Sequence, residues 1–385
     1  MLISLPIVCL NQSIPSNLRG PMSRVIIAPD SFKGTATNVE VARWIAQGWR
    51  SIRPFDDILE IPMADGGEGT LLAIAARRAD VNWQTVDLID LGRRNSAKWI
   101  LLPEGTAVVE LAQGSGITLQ SEMDPLGAHT FGFGNILRAA ASDPRVKKIY
   151  CALGGSGSTD AGVGALSALG FKFFDKSSNQ IALGGGALSE LDHISAEEAV
   201  PLPPLGVVVM VDTNSPLLGN QGSANVFAPQ KGATKLEIEI LEKNLSHLVQ
   251  IVGKADLQGD GAAGGTAYGL TKMWGASISN GAPAIAEITG LNSEILTADY
   301  LITGEGRLDT QSFDGKIVGY LSELAKELRI PVGYCVGSRT IDFPDNAFCS
   351  LTLEEIAGSK ELGMLNVEQH LLKAGAEMAR SLIRA

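Results

Sequence analysis

Hydrophobic positions along the chain switch repeatedly between two rhythms. Val25, Ile26, Ile27 and Ala28 form a short apolar, largely β-branched run that breaks into the polar loop Pro29-Asp30-Ser31-Phe32-Lys33-Gly34. A helical rhythm follows: Val41, Trp44, Ile45, Gly48 and Trp49 fall near one face, and Thr37 and Glu40 have capping-box spacing. The cycle repeats with Ile58, Leu59 and Ile61, then a loop, then Leu71, Leu72, Ile74 and Ala75. Strand, loop and helix in succession predict an α/β fold with ligand loops at the carboxyl ends of its strands.

Between about Val81 and Leu119 the rhythm changes. Alternating stretches at 85–89, 98–102 and 107–111 are broken by Gly92 and Gly105 with no helical pattern between them, which predicts an antiparallel meander. Later apolar runs at 149–153 and 207–211 each enter a polar or glycine-rich loop, and Thr234 with Glu237 opens a long amphipathic helix. Parallel α/β spacing returns around Tyr300-Leu301-Ile302 and Pro331 to Val336. The expected organisation is one α/β domain from residues 22–75 and 290–385, split by an inserted mixed-sheet domain at 76–289. Residues 1–21 are expected to be an extension, disordered or loosely docked.

A chain of 385 residues is long enough for about two cores. Its net charge of −11 argues against nucleic acid or an anionic membrane as the main partner. No apolar run approaches the roughly 18 residues of a membrane helix. The 44 glycines exceed the roughly 7% average without any period, which points to many backbone-lined turns rather than to collagen. Cys9, Cys151, Cys335 and Cys349 show no CxxC spacing, as expected of thiols in a reducing compartment.

Candidate chemistry collects in the loops. In Ala64-Asp65-Gly66-Gly67-Glu68-Gly69-Thr70, two carboxylates sit among glycines that allow close backbone approach to a ligand. Gly154-Gly155-Ser156-Gly157-Ser158 follows a strand and precedes a small-residue helix, a setting for phosphate contact as well as for a plain tight turn. Gly304-Glu305-Gly306-Arg307-Leu308-Asp309, with Lys316 beyond Asp314, offers cations for phosphate charge and carboxylates for a metal ion or a proton. Asp212 ends another strand, and Lys231 precedes a helix. No P-loop motif occurs. Gly259-Asp260-Gly261-Ala262-Ala263-Gly264 fits G-x-G-x-x-G but lacks a convincing preceding strand, which weighs against dinucleotide binding. His129, His193, His247 and His370 have no zinc-site spacing.

Six ordered blocks between about Arg24 and Lys316 resemble signature segments of the bacterial glycerate kinase family: Ile27 to Gly34, Ala64 to Thr70, Leu153-Gly154-Gly155-Ser156, Phe227 to Ala233, Gly261-Ala262-Ala263-Gly264-Gly265 and Ile302 to Asp309. The sequence departs from the family pattern at Phe133 and Asn135. The resemblance implies ATP-dependent phosphorylation of D-glycerate, more often at the 2-hydroxyl, with Mg²⁺, in the cytoplasm. It also implies two α/β domains, one flavodoxin-like and one with a mixed sheet, around a shared cleft, in a monomer or homodimer. Under that reading the catalytic group is Asp65, Lys33, Asp212 and Arg307. ATP meets Gly154, Gly155, Ser156, Lys231 and Gly264, while glycerate meets Asp30, Ser31, Gly66 and Gly67. Metal candidates are Glu68, Glu305 and Asp309. Asp65 and Asp212 compete for the role of base, and Arg307 and Lys33 for the glycerate carboxylate. The alternatives are a kinase for another small hydroxy acid and a nucleotide or sugar-acid binding protein without turnover.

Overall fold

The computed structural model describes residues 22–90, 93–313 and 315–384. The expectations for residues 1–21, for Gly92 and for Asp314 lie outside this set. Among the described residues eleven strands build the two main sheets, and two small two-stranded sheets stand apart from them. The first is parallel and contains β1 (Arg24–Ile27), β2 (Asp57–Glu60), β9 (Tyr300–Thr303), β10 (Val332–Val336) and β11 (Ala347–Thr352). Its spatial order is β2-β1-β9-β10-β11. Counted along the chain this is 2-1-3-4-5, the flavodoxin-like order.

The second sheet runs β8-β7-β6-β5-β4-β3, with β3 (Asn82–Asp90), β4 (Arg93–Leu101), β5 (Thr106–Glu110), β6 (Lys148–Ala152), β7 (Val207–Val211) and β8 (Ser277–Asn280). The 3-4-5 meander is antiparallel and the remaining pairs are parallel. The chain is therefore α/β, with one parallel and one mixed sheet.

Period-two alternation decides what each face covers. Val25 and Ile27 face a core with the helices Asn38–Arg50 and Val367–Arg384, while Ile26 and Ala28 face another with Thr70–Arg77, Gly281–Thr289 and Ile317–Leu328. That second core also takes Val108, Tyr150 and Met210 from the mixed sheet, so the two sheets share a middle helix layer. Val109, Cys151 and Val209 point the other way, onto the helices Phe131–Ala141 and Lys235–Val252. Both expected capping boxes form. We propose that the chain passes between its two α/β units near residues 75 and 290, where Arg77 and Glu294 are joined by a salt bridge.

Candidate active site

Neighbouring strands β1 and β9 send their following helices to opposite faces of the parallel sheet, which opens a crevice at their carboxyl ends. The loops there are packed tightly. Asp30 donates its backbone N–H to Gly304 O at 2.8 Å. A β-carbon on Gly304 would lie 1.6 Å from Cys335 O, and one on Gly337 2.3 Å from Gly306 O. Only glycine fits where the loops after β9 and β10 lie back to back, and this packing sets the position of Glu305.

Loops of the mixed sheet approach from across the cleft. Gly154 N–H donates to Gly66 O at 3.1 Å, and a β-carbon on Gly66 would meet the Met210 β-carbon at 2.8 Å, so the Asp65 loop rests on the ends of β6 and β7. Gly66 also needs its positive φ of 89°. The Asp65 carboxylate accepts the N–H of Gly67 at 3.1 Å, and Asp212 projects from the end of β7 into the same space.

Two compartments meet here. One, about 280 Å³, is lined by Asp30, Phe32, Lys33, Asp65, Glu305, Arg307, Asp309 and Lys316, with Leu353, Lys360, Met364 and Val367 as a far wall. The other, about 790 Å³, is lined by Glu68, Gly67, Gly154, Gly155, Asp212 and Glu110, with Trp83 and Lys98. Ser31, Lys33, Thr35 and Asp65 line both.

Electrostatics centre on Lys33. Burial alone would depress its pKa, but Asp65, Asp30, Asp212 and Glu305 together raise it, so it stays an ammonium. The carboxyls respond in the opposite sense. Burial and then Asp65 push Asp30 well above the usual carboxylate range, and the same two causes raise Asp212, with Lys33 and Lys316 opposing. Glu305 is raised by burial first, against the bond from Ser312 and the charge of Lys316. Its Oε1 is buried with no hydrogen-bond partner. Among the described residues no three acidic, imidazole or thiol groups are gathered closely enough to bind a metal ion alone. A cation bound there would still relieve both the orphaned oxygen and the mutual repulsion of the carboxylates.

A sequence profile of the glycerate kinase family matches residues 25–381. The chain belongs to the glycerate kinase family. It is 35% identical over 329 residues to the glycerate 2-kinase of Escherichia coli K12, covering 83% of this chain and 86% of that protein. The glycerate kinase of Bacillus subtilis 168 is also 35% identical, with the same coverage. A crystal structure from Salmonella typhimurium LT2, assigned as glycerate kinase 2, superposes with a TM-score of 0.79 at 32% identity, over 94% of this chain and 98% of its own.

Within this family fold the expected site residues divide. Asp30, Ser31, Lys33, Asp65, Gly67, Glu68, Gly154, Gly155, Asp212, Glu305, Arg307 and Asp309 all line the cleft. Glu68, however, lines the opposite compartment from Glu305 and Asp309, so the three metal candidates do not form one cluster. Gly66 supports from beneath.

Three residues expected to meet ATP line neither compartment. Lys231 is 3% exposed and donates to Ser158 O behind the glycine-rich loop. Ser156 is buried, its hydroxyl directed to Ser158 O, and a β-carbon on Gly264 would lie 2.0 Å from that same carbonyl. These residues pack the loop's interior side. The helix start beyond it holds no free anion site either, because Asp160 fills it. Its buried carboxylate accepts from Gly162 N, Gly164 N, Thr130 N and the hydroxyls of Thr130 and Ser158. Phe133, the departure from the family pattern, is a fully buried core side chain of the mixed-sheet unit.

Sequence reasoning missed Glu110, Lys98, Trp83 and the wall from Leu353 to Val367. Glu110 is 2% exposed, and burial pushes it up to about 7, against bonds from Leu71 N–H and Gln113. A lone acid closing an apolar strand was its only signal.

Proposed function

We propose that this chain catalyses ATP-dependent phosphorylation of D-glycerate at the 2-hydroxyl, giving 2-phosphoglycerate and ADP. One observation carries the reading: an ammonium, Lys33, stands among Asp30, Asp65, Asp212 and Glu305 where two compartments fed by loops of both sheets meet. Phosphoryl transfer needs a cation to neutralise the transferring group, a carboxylate to take the hydroxyl proton and positioning of both partners. Family membership and the 2-kinase name of the Escherichia coli relative support the substrate and the hydroxyl.

Charge favours the smaller compartment for ATP. Lys33, Arg307, Lys316 and Lys360 there balance Asp30, Asp65, Glu305 and Asp309, beside apolar Leu353, Met364 and Val367. The larger one sets Lys33 and Lys98 against Glu40, Asp65, Glu68, Glu110 and Asp212, a poor setting for a polyanion. Glycerate, with a single charge, lies there against Ser31, Gly67 and Gly154-Gly155, which transfers Gly154 and Gly155, expected at ATP, to the acceptor and leaves Arg307, a candidate for the glycerate carboxylate, with the nucleotide. Its hydroxyl faces Asp65 and Asp212, and burial raises the pKa of Asp212, the direction that suits a general base. Glu305 and Asp309 would hold Mg²⁺ brought with the nucleotide, which supplies charge neutralisation of the phosphates. Among the described residues Cys151, Cys335 and Cys349 are free thiols, which supports a reducing compartment such as the cytoplasm. Among the described residues no helix is long and apolar enough to cross a membrane. The test is phosphorus NMR of the product made from D-glycerate and MgATP, beside a panel of other hydroxy acids. A 2-phosphoglycerate resonance supports the reading, and absence of glycerate-stimulated ADP release overturns it.

A further inference from the structure

The helix Thr70–Arg77 rises directly from the Asp65 loop and lacks a cap of its own. Its N-cap is Gly69, with φ 93°, no side chain to offer and no acidic residue in the first turn behind it. The missing acceptor comes from the other sheet. Glu110, at the carboxyl end of β5 and 2% exposed, accepts the N–H of Leu71 at 2.7 Å through Oε1, while Gln113 donates to Oε2 at 3.4 Å. On the opposite side Asn38 Nδ2 donates to Met63 O at 2.8 Å and to Gly69 O at 3.3 Å. The loop bearing Asp65 and Glu68 is thus gripped from both units, by Asn38 at its base and by Glu110 at its exit.

We propose that Glu110 is a positioning residue, a helix cap supplied across the cleft that fixes the Asp65 loop relative to the mixed sheet. Asp65 follows β2 of one sheet and Asp212 follows β7 of the other. Their relative placement depends on such cross-links, of which Glu110 provides the side-chain acceptor for a first-turn N–H of this helix, while Asn38 holds the Gly69 carbonyl. Turnover depends on that placement to within about 1 Å. The inference rests on the kinase reading for its kinetic consequence, though not for the clamp itself.

The experiment compares Glu110→Leu, Glu110→Gln and Glu110→Asp in the full chain. Glutamine keeps an acceptor oxygen for Leu71 N–H, whereas leucine removes it and aspartate falls one methylene short. Glu110→Leu and Glu110→Asp are expected to lose kcat by roughly tenfold or more, with KM for MgATP within about twofold, and Glu110→Gln to recover most of the loss. Hydrogen exchange read by mass spectrometry over residues 66–72 should quicken by about tenfold in the first two and stay near wild type in Glu110→Gln. Should Glu110→Leu fail to fold, Glu110→Asp gives the same reading. Equal damage in Glu110→Gln and Glu110→Asp would assign Glu110 to direct chemistry and overturn the proposal, as would unchanged exchange in both Glu110→Leu and Glu110→Asp. If the wild type does not phosphorylate glycerate, the functional reading fails while the exchange data still decide the clamp.

Discussion

Gly281 lies so close against Asp65 that a β-carbon on it would stand 1.8 Å from the Asp65 carbonyl oxygen and 2.2 Å from its carbon. Gly281 opens the helix that leaves β8, so the last strand of the mixed sheet abuts the central loop of the parallel-sheet unit. Its φ is not in the left-handed region, and space alone demands glycine there.

Gly281→Ala should therefore push Asp65 out of the cleft without removing any polar group. Overpacking of this kind costs about 1–3 kcal/mol of stability, and a displacement near 1 Å costs roughly 100-fold in turnover. Urea unfolding and steady-state kinetics measure the two effects separately. Turnover within twofold of wild type would mean that the position of Asp65 does not limit the reaction.

Lys33→Met leaves Asp30, Asp65, Asp212 and Glu305 without their central cation. Lys33 holds Asp30 and Asp212 down against burial and Asp65, so both carboxyls rise further when it is removed. A base that must be ionised then works only at higher pH. The acidic limb of kcat/KM moves upward, and the maximum falls by about 100-fold or more as charge stabilisation is lost. A pH profile with an unmoved acidic limb would remove Lys33 from contact with the base.

Lys231, expected from the sequence to meet ATP, is buried behind the glycine-rich loop against Ser158 O. Burial lowers its pKa to about 8 from 10.5, with Asp160 opposing. Between those values the unfolded chain retains a proton that the folded chain has released, so wild-type stability rises as pH climbs through the window. The gain is about 3 kcal/mol at most and should be missing in Lys231→Met when urea midpoints at pH 8 and pH 10 are compared. KM for ATP should stay within about twofold in that variant, because the side chain lies behind the loop rather than in the cleft.

Much of this was readable from residue order. Alternation in β1 and the two threonine-glutamate boxes follow from local geometry, and loops rich in glycine and carboxylate at strand ends marked most of the cleft. What escaped depends on partners distant in sequence. Ser156 to Asp160 reads as a phosphate turn until Thr130, thirty residues before Asp160, is seen to donate to its carboxylate. Glu110 meets Leu71 across 39 residues. Lys360 and Met364 reach the smaller compartment only because the chain returns after β11 to cover the end of the parallel sheet.

The assignment of the two compartments can be inverted by experiment, which makes Lys360 and Lys98 the informative pair. Lys360 lines only the charge-balanced compartment and Lys98 only the acidic one. Losing one charged hydrogen bond to a ligand costs about 1.5–3 kcal/mol, or roughly ten- to a hundredfold in affinity. Lys360→Met should therefore raise KM for MgATP by about tenfold while KM for glycerate stays within twofold, and Lys98→Met should show the reverse. Neither lysine touches Asp65 or Asp212 by a hydrogen bond or salt bridge, so kcat should change little. If Lys98→Met weakens ATP and Lys360→Met weakens glycerate, the nucleotide occupies the larger compartment. Its phosphates would then face the Gly154-Gly155 turn, and Asp65 would receive the acceptor hydroxyl from the opposite side.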